Sequence, residues 1–495
     1  LFFGFFGGMM HAQEMQGLVI QSPLSDTHRI ENQAKLNAHA GIFPLAPGIE
    51  NKLIALGRDS IFTQKERAQR IEALLDLNAG LSIQQINTFS VVGIHVQEQL
   101  KGKWHFRLNT GLYAANLPDY LETSNTQDIL PGIGEKAFNS GSDLALAPYF
   151  STALGYTFNK HFHLEAGRGK HFWGDGYRSG VLSHNAAPFP YAKLTTSVWN
   201  IKYVNVWGSM KDISALDNLG SRRKFTTMHA LSWNIHKRFN MTVFESVVWQ
   251  NSDSLSTRNF ELNYLNPVVF FRPIEFAQGS ADNALLGVGF KYRGRQDWQA
   301  YTQIYFDEFL LFELRRALGW WGNKFAFQFG LKKWNVLPGL HGLTEVNLAK
   351  PYTYTHGSVF QAYGHLQQSL AHPLETNFVE WLNHWTYSKR DLNFEFTHMW
   401  AIYGRDKNGE NFGGNIFRSY ANPAKQYDNY LAQGLKSTVQ LVRLRGGKAL
   451  GKRENGIQAF AEILFRHEQN DDWSRTEAYL NFGIRSALYS SWNDR

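Results

Sequence analysis

A period of two runs through most of this chain and limits what it can fold into. In TEAYLNFGIRSALY (476–489), Ala478, Leu480, Phe482, Ile484 and Leu488 fall on one face of an extended strand, and Glu477, Asn481 and Arg485 on the other. WQAYTQIYF repeats the split, with Trp298, Ala300, Ile304 and Phe306 opposing Gln299, Gln303 and the tyrosines. The same rhythm recurs in ALLGVGFKY (284–292), KFAFQFGLK (324–332), FHLEAGR (162–168) and IQAFAEILFR (457–466). These segments are about 8–13 residues long, close to the roughly 9–11 residues a tilted strand needs to cross a bilayer. No apolar run of about 18 residues exists, which excludes a membrane protein built from helices.

A soluble β-sandwich would alternate as well. Two features favour a transmembrane barrel. The polar faces carry Gln, Lys, Glu, Arg and Gly over many successive strands, as a wet lumen requires, while the apolar faces end in aromatic residues, as interfacial girdles do. Connections also alternate in length: short turns at 158–161 and 234–240 are separated by long polar stretches at 115–146, 170–191, 209–223, 350–375 and 404–432. Composition agrees, with 37 Phe, 21 Tyr, 15 Trp and 43 Gly in a chain whose hydrophobic fraction is only 43%. Between 17 and 20 strands can be counted. An even number is needed if both ends lie on the periplasmic side, so the expected fold is an all-β, antiparallel transmembrane barrel of 18 strands over residues 71–495.

The N-terminal region reads differently. LFFGFFGGMM followed by His11, Ala12 and Gln13 has the look of a secretory signal's apolar core and cleavage site, giving 1–12 as a signal remnant. Residues 13–70 read as a periplasmic segment, partly helical, because Ile49–Leu56 and Gln64–Leu75 carry helix-like spacing. Cysteine is absent, which rules out disulfides and thiolate metal sites. The net charge of +8 is spread along the chain without runs or a nucleic-acid motif, so acidic glycans or lipid phosphates are the expected counter-charges and nucleic acid is not. The expected location is the outer membrane of a Gram-negative bacterium.

The stretch HLEAGRGKHFWGDGYRSGVLSHNAAPFPYAKLTT (163–196) resembles the outer-membrane barrels of Bacteroidetes grouped with the Wzi capsule-assembly proteins, including RemB-like relatives linked to gliding motility. FELNYLNPVVFFRPIEFAQGSADNALLG (260–287) and PYTYTHGSVFQAYGHLQQSLAHPLETNF (351–378) resemble the same family, and with the strand rhythm the likeness spans roughly residues 70–490. The resemblance implies an 18-stranded barrel with an occluded lumen, a helical element on the periplasmic side and a lectin-like role in holding surface polysaccharide.

GRGKHFWGDGYRSG (167–180) meets neither glycine-rich nucleotide fingerprint, since Phe172 and Asp175 occupy the deciding positions. Lys170, His171, Trp173, Asp175, Tyr177 and Arg178 instead suit a sugar: aromatic faces stack on pyranose C–H faces, and the polar groups offer fixed hydrogen bonds. Read singly, each is more simply a loop residue satisfied by its neighbours in the barrel mouth, with the glycines letting the loop fold back. Tyr354, His356 and His365 in the later segment read the same way, as glycan-facing groups or as the lining of an inward-folded loop. His161 and His163 are spaced to chelate, but no known metal pattern accompanies them. No G-x-S-x-G element occurs, and no catalytic residue, metal or cofactor is expected.

The first functional reading is therefore a non-enzymatic barrel that binds or organises surface or capsular polysaccharide, embedded in outer-membrane lipid or lipopolysaccharide. The alternative is an accessory of gliding motility or adhesin secretion that works through protein partners. A passive diffusion channel would need an open lumen.

Overall fold

The computed structural model describes residues 69–82, 86–100, 103–116, 129–130, 132–133, 144–212, 222–236, 238–251, 260–266, 282–295, 297–308, 310–450 and 457–486. The strands are β1 (Gln69–Leu81), β2 (Ile86–Leu100), β3 (Trp104–Asn116), β4 (Ala145–Thr157), β5 (Phe162–Gly169), β6 (Phe189–Val198) and β7 (Ile201–Asp212). They continue with β8 (Arg222–His236), β9 (Phe239–Gln250), β10 (Asn283–Arg293), β11 (Trp298–Glu308), β12 (Lys324–Leu337) and β13 (Leu340–Ala349). After the two-residue strands β14 (Gly364–His365) and β15 (Gln368–Ser369) come β16 (Phe378–Lys389), β17 (Leu392–Arg405), β18 (Leu435–Ala449), β19 (Ile457–Gln469) and β20 (Ser474–Ser486).

All but β14 and β15 join one 18-stranded antiparallel sheet. Neighbours in sequence pair with one another, β13 pairs with β16, and β1 pairs with β20 to close the ring. The strand number is the one expected from the sequence. Tight turns such as 158–161, 199–200 and 390–391 lie at one end. Long connections at 170–188, 310–323, 350–377 and 406–434 lie at the other. Closure matters because pairing the first strand with the last removes the open sheet edge whose N–H and C=O groups lipid could not satisfy.

The alternation sorts the side chains as expected. In β11, Gln299, Tyr301, Gln303, Tyr305 and Asp307 are buried in the lumen, while Trp298, Ala300, Thr302, Ile304 and Phe306 face outward. Val92, Leu112, Phe150, Phe329, Ile463 and Phe482 are exposed on the outer wall, and Trp104, Trp233, Tyr292 and Trp298 mark the end with the tight turns. A closed, even-stranded barrel with grease outside and Glu, Lys, Arg and Gln inside is an outer-membrane β-barrel.

One local reading is corrected. Gln64–Leu75 was expected to continue a helix, but from Gln69 onward the chain is strand β1, because pairing with β2 from Gln69↔Glu98 fixes an extended backbone. Trp207 and Trp249 face outward, yet their outward faces are covered by the protein itself. Residues 260–266, with a 3-10 turn at Leu262–Leu265, lie on the outer wall, so that Tyr264 packs with Phe225, Val247 and Trp249 and its carbonyl accepts from Trp207 Nε1 at 2.9 Å. On the same outward face Asn205, His229 and Glu245 stand opposite one another in register and are buried. Alternation tells which side a residue faces, not what covers it. The expected signal remnant at 1–12 and the helix-like Ile49–Leu56 lie outside the described residues.

Candidate functional site in the barrel lumen

Loop 170–188 leaves β5 and crosses the lumen. β16 is the fourteenth strand of the ring and β5 the fifth, so they stand diametrically opposite, and the loop's tip reaches that far wall. Two polar anchors hold it there. The backbone N–H groups of Tyr177 and Arg178 donate to the two oxygens of Glu345 on β13, at 2.9 and 3.1 Å. The Arg178 guanidinium donates to Glu380 Oε1 on β16 from Nη2 at 3.1 Å and from Nε at 3.3 Å. Asn347 ties the two carboxylates together, donating to Glu345 Oε1 at 2.8 Å and to Glu380 Oε2 at 2.9 Å. His372 lies 2.8 Å from Glu380 Oε2, and Tyr301 Oη donates to Glu345 Oε2 at 2.6 Å. Buried charge survives only when paired this fully.

The other members of the first segment are placed as follows. Asp175 pairs with Lys291 on β10 at 3.3 Å. Tyr177 Oη accepts from Arg443 Nη2 on β18 at 3.0 Å. Trp173 is buried, its N–H donating to Leu182 O at 2.8 Å, while Ser179 Oγ donates to Trp173 O. Half-buried Lys170 donates to His184 O at 2.8 Å. His171 packs edge-on against Tyr191, and burial followed by the Lys193 charge lowers its pKa from 6.5 to about 3. Gly176 is required where it stands, since a Cβ would come within 2.2 Å of Glu345 Oε2 and 2.7 Å of Arg178 O.

The second segment, 350–377, crosses the other way. His365 Nδ1 accepts from Lys211 N on β7 at 3.0 Å, and Lys224 on β8 donates to Ala362 O at 2.9 Å. Tyr354 is buried, its N–H donating to Asp307 Oδ2 at 2.7 Å and its Oη to Gly180 O at 2.6 Å. Burial holds His365 at about 3 and His356 at about 4, with Lys224 and Lys324 respectively adding to the shift. Tyr352, Tyr354, Glu375 and Asn377 all have left-handed φ values, from 58° to 70°, a conformation that costs about 1 kcal/mol or more for a non-glycine residue. The two loops also bind each other: Ser183 N donates to Leu370 O at 2.7 Å, and Asn185 Nδ2 to Ser369 O at 2.9 Å.

The structure therefore brings the two sequence-predicted segments together, with Tyr354 reaching Gly180, but buries eight of the nine named residues; only Lys170 is half-buried. His161 and His163 do not converge: His161 lies 2.8 Å from Ser197 O, and His163 bonds Thr157 Oγ1 at 3.0 Å. Sequence reasoning missed Glu345, Glu380, Asn347, Arg443 and Lys291. Their signal was present, as charged or amide side chains on the lumen face of otherwise alternating strands, but no spacing links them to loop 170–188. At the outer rim, His356 supports Tyr420 (ring centroids 5.7 Å), which packs against half-exposed Trp321 at 5.1 Å.

No protein-family profile and no curated protein matches the sequence. Among solved structures the chain is similar to Wzi of Escherichia coli, described as an outer-membrane protein involved in group 1 capsule assembly and a carbohydrate-binding β-barrel. That match has a TM-score of 0.57 and 12% identity, and covers 96% of this chain and 100% of the other. Pseudomonas aeruginosa OccK8 (OprE) aligns at TM-score 0.47 and 8% identity, over 84% of this chain and 97% of that one. At such identities the likeness is one of fold.

Proposed function

We propose that this barrel is a non-enzymatic holder of surface or capsular polysaccharide at the outer face of the outer membrane. The observation that carries the reading is the pair of interlocked loops across the lumen. The polar groups that anchor them are spent on each other and on the wall, which suits a fixed platform better than a route for solutes. The fold of a carbohydrate-binding barrel supports it. In this reading His171, Trp173, Asp175, Tyr177, Arg178, Tyr354, His356 and His365 set the shape of the platform. Sugar contact falls to the half-exposed groups they carry, Lys170 and the Trp321–Tyr420 pair seated on His356.

The test is binding of the purified protein to a panel of acidic and neutral surface polysaccharides, alongside capsule retention in a deletion strain. Binding weakened at least tenfold by Trp321→Ala together with Tyr420→Ala, in a barrel that still migrates as folded, is the expected result. Normal glycan retention in the deletion strain, together with co-purification of a protein complex, would refute it in favour of a motility or secretion accessory.

A further inference from the structure

The loop end of the barrel carries an apolar projection that the lumen loops do not account for. After Leu310 the β11–β12 connection forms helix α1 (Leu311–Arg316), then turns back through Ala317 (φ 54°) and Gly319 (φ 64°). Leu310, Leu311, Phe312, Leu314 and Leu318 are between 44% and 69% exposed, as open as the belt residues Val92 (53%) and Leu112 (58%). The projection is tied down at its base. Leu310 N donates to Asn323 Oδ1, Asp428 N to Leu318 O and Asn429 N to Gly319 O, each at 2.9 Å. Arg316 pairs with Glu313 at 3.1 Å and lies over the rings of Phe312 and Tyr427. Large apolar side chains held in the open mark a contact surface.

The lipid-facing belt indicates the occupant. β11 and β12 present Phe306 and Phe325 opposite one another on the outer wall, and Leu310 follows Phe306 by four residues, so α1 continues the greasy strip past its last aromatic pair. Four of the five are leucines, which suits acyl chains more than sugar rings. Beside it Arg315 is exposed and has no partner among the described residues, leaving a guanidinium for an anionic headgroup. We propose that α1 is an interfacial anchor seated in the outer leaflet, with Leu310, Leu311, Phe312 and Leu314 among acyl chains and Arg315 on the phosphate of a net-anionic headgroup. The anchor does not depend on the glycan reading.

The chain has no cysteine, so a single nitroxide can be attached at Phe312→Cys and, as a control, at Asp471→Cys, which is 76% exposed in the β19–β20 connection. The full-length protein is placed in vesicles of phosphatidylcholine and phosphatidylglycerol, and collisions with oxygen and with a water-soluble nickel chelate are compared. The label at 312 is expected to favour oxygen severalfold over the label at 471. Adding Arg315→Gln should shift it toward the chelate in the anionic vesicles and leave it unchanged in phosphatidylcholine alone. Equal accessibility at 312 and 471 would overturn the proposal, as would protection of 312 that vanishes on diluting the protein in lipid, since a second copy would then be the cover.

Discussion

Four donors converge on the carboxylate of Glu345: the N–H groups of Tyr177 and Arg178, Tyr301 Oη and Asn347 Nδ2. Glu345→Ala would take this acceptor from the two loop N–H groups and from Tyr301 Oη, while Asn347 Nδ2 keeps Glu380 Oε2, a loss of about 1–3 kcal/mol. The expected outcome is a barrel that keeps its folded electrophoretic mobility while loop 170–188 becomes open to protease; Glu345→Gln, which still accepts, should do much less. Gly176→Ala attacks the same contact from the loop side, because its methyl would sit on Glu345 Oε2, and limited proteolysis should report the same release at a cost of about 1–3 kcal/mol. The sequence displays Glu345 as an inward polar residue of β13, and GRGKHFWGDGYRSG as a loop with special backbone needs. It does not pair them, since 167 or more residues separate donors and acceptor.

The two lumen loops behave as one element, joined through Ser183, Asn185 and Tyr354, and their histidines give that element a pH dependence. His171 and His365 titrate at about 3 and His356 at about 4, against 6.5 for an exposed imidazole. Between those values a released loop binds more protons than a packed one. Packing is therefore fully supported above about pH 6.5 and loses support as pH falls toward 4 and 3, by about 1.4 kcal/mol per pH unit for each histidine. Hydrogen exchange, corrected for its intrinsic rate, should rise in 170–188 and 350–377 between pH 7 and pH 4.5 while strand amides stay protected. Uniform protection at both pH values would show that the imidazoles are not what limits opening. Inward folding of these loops was legible as a possibility in their aromatic and glycine content. The direction each takes across the lumen was not, because nothing local encodes which wall will accept it.

For the molecule as a whole, the crossing loops predict electrical silence. In planar bilayers the intact barrel should show no single-channel steps, and a variant with residues 173–182 replaced by a short glycine–serine link should conduct; steady large conductance from the intact protein would restore the diffusion-channel reading. The sequence by itself determined the closed barrel. A strand period of two admits only two faces, and segments of membrane-crossing length with greasy and polar faces and alternating short and long connections have few other ways to satisfy their backbone. It also marked the two segments that meet in the lumen. Only the tertiary structure decided that Arg178 would face Glu380, that residues 260–266 would cover Trp249 on the outer wall, and that α1 would stand uncovered. Those outcomes depend on where the closed ring places each wall and on whether a connection folds into the lumen, back over the outer wall or beyond the rim, and no local pattern of residues sets that.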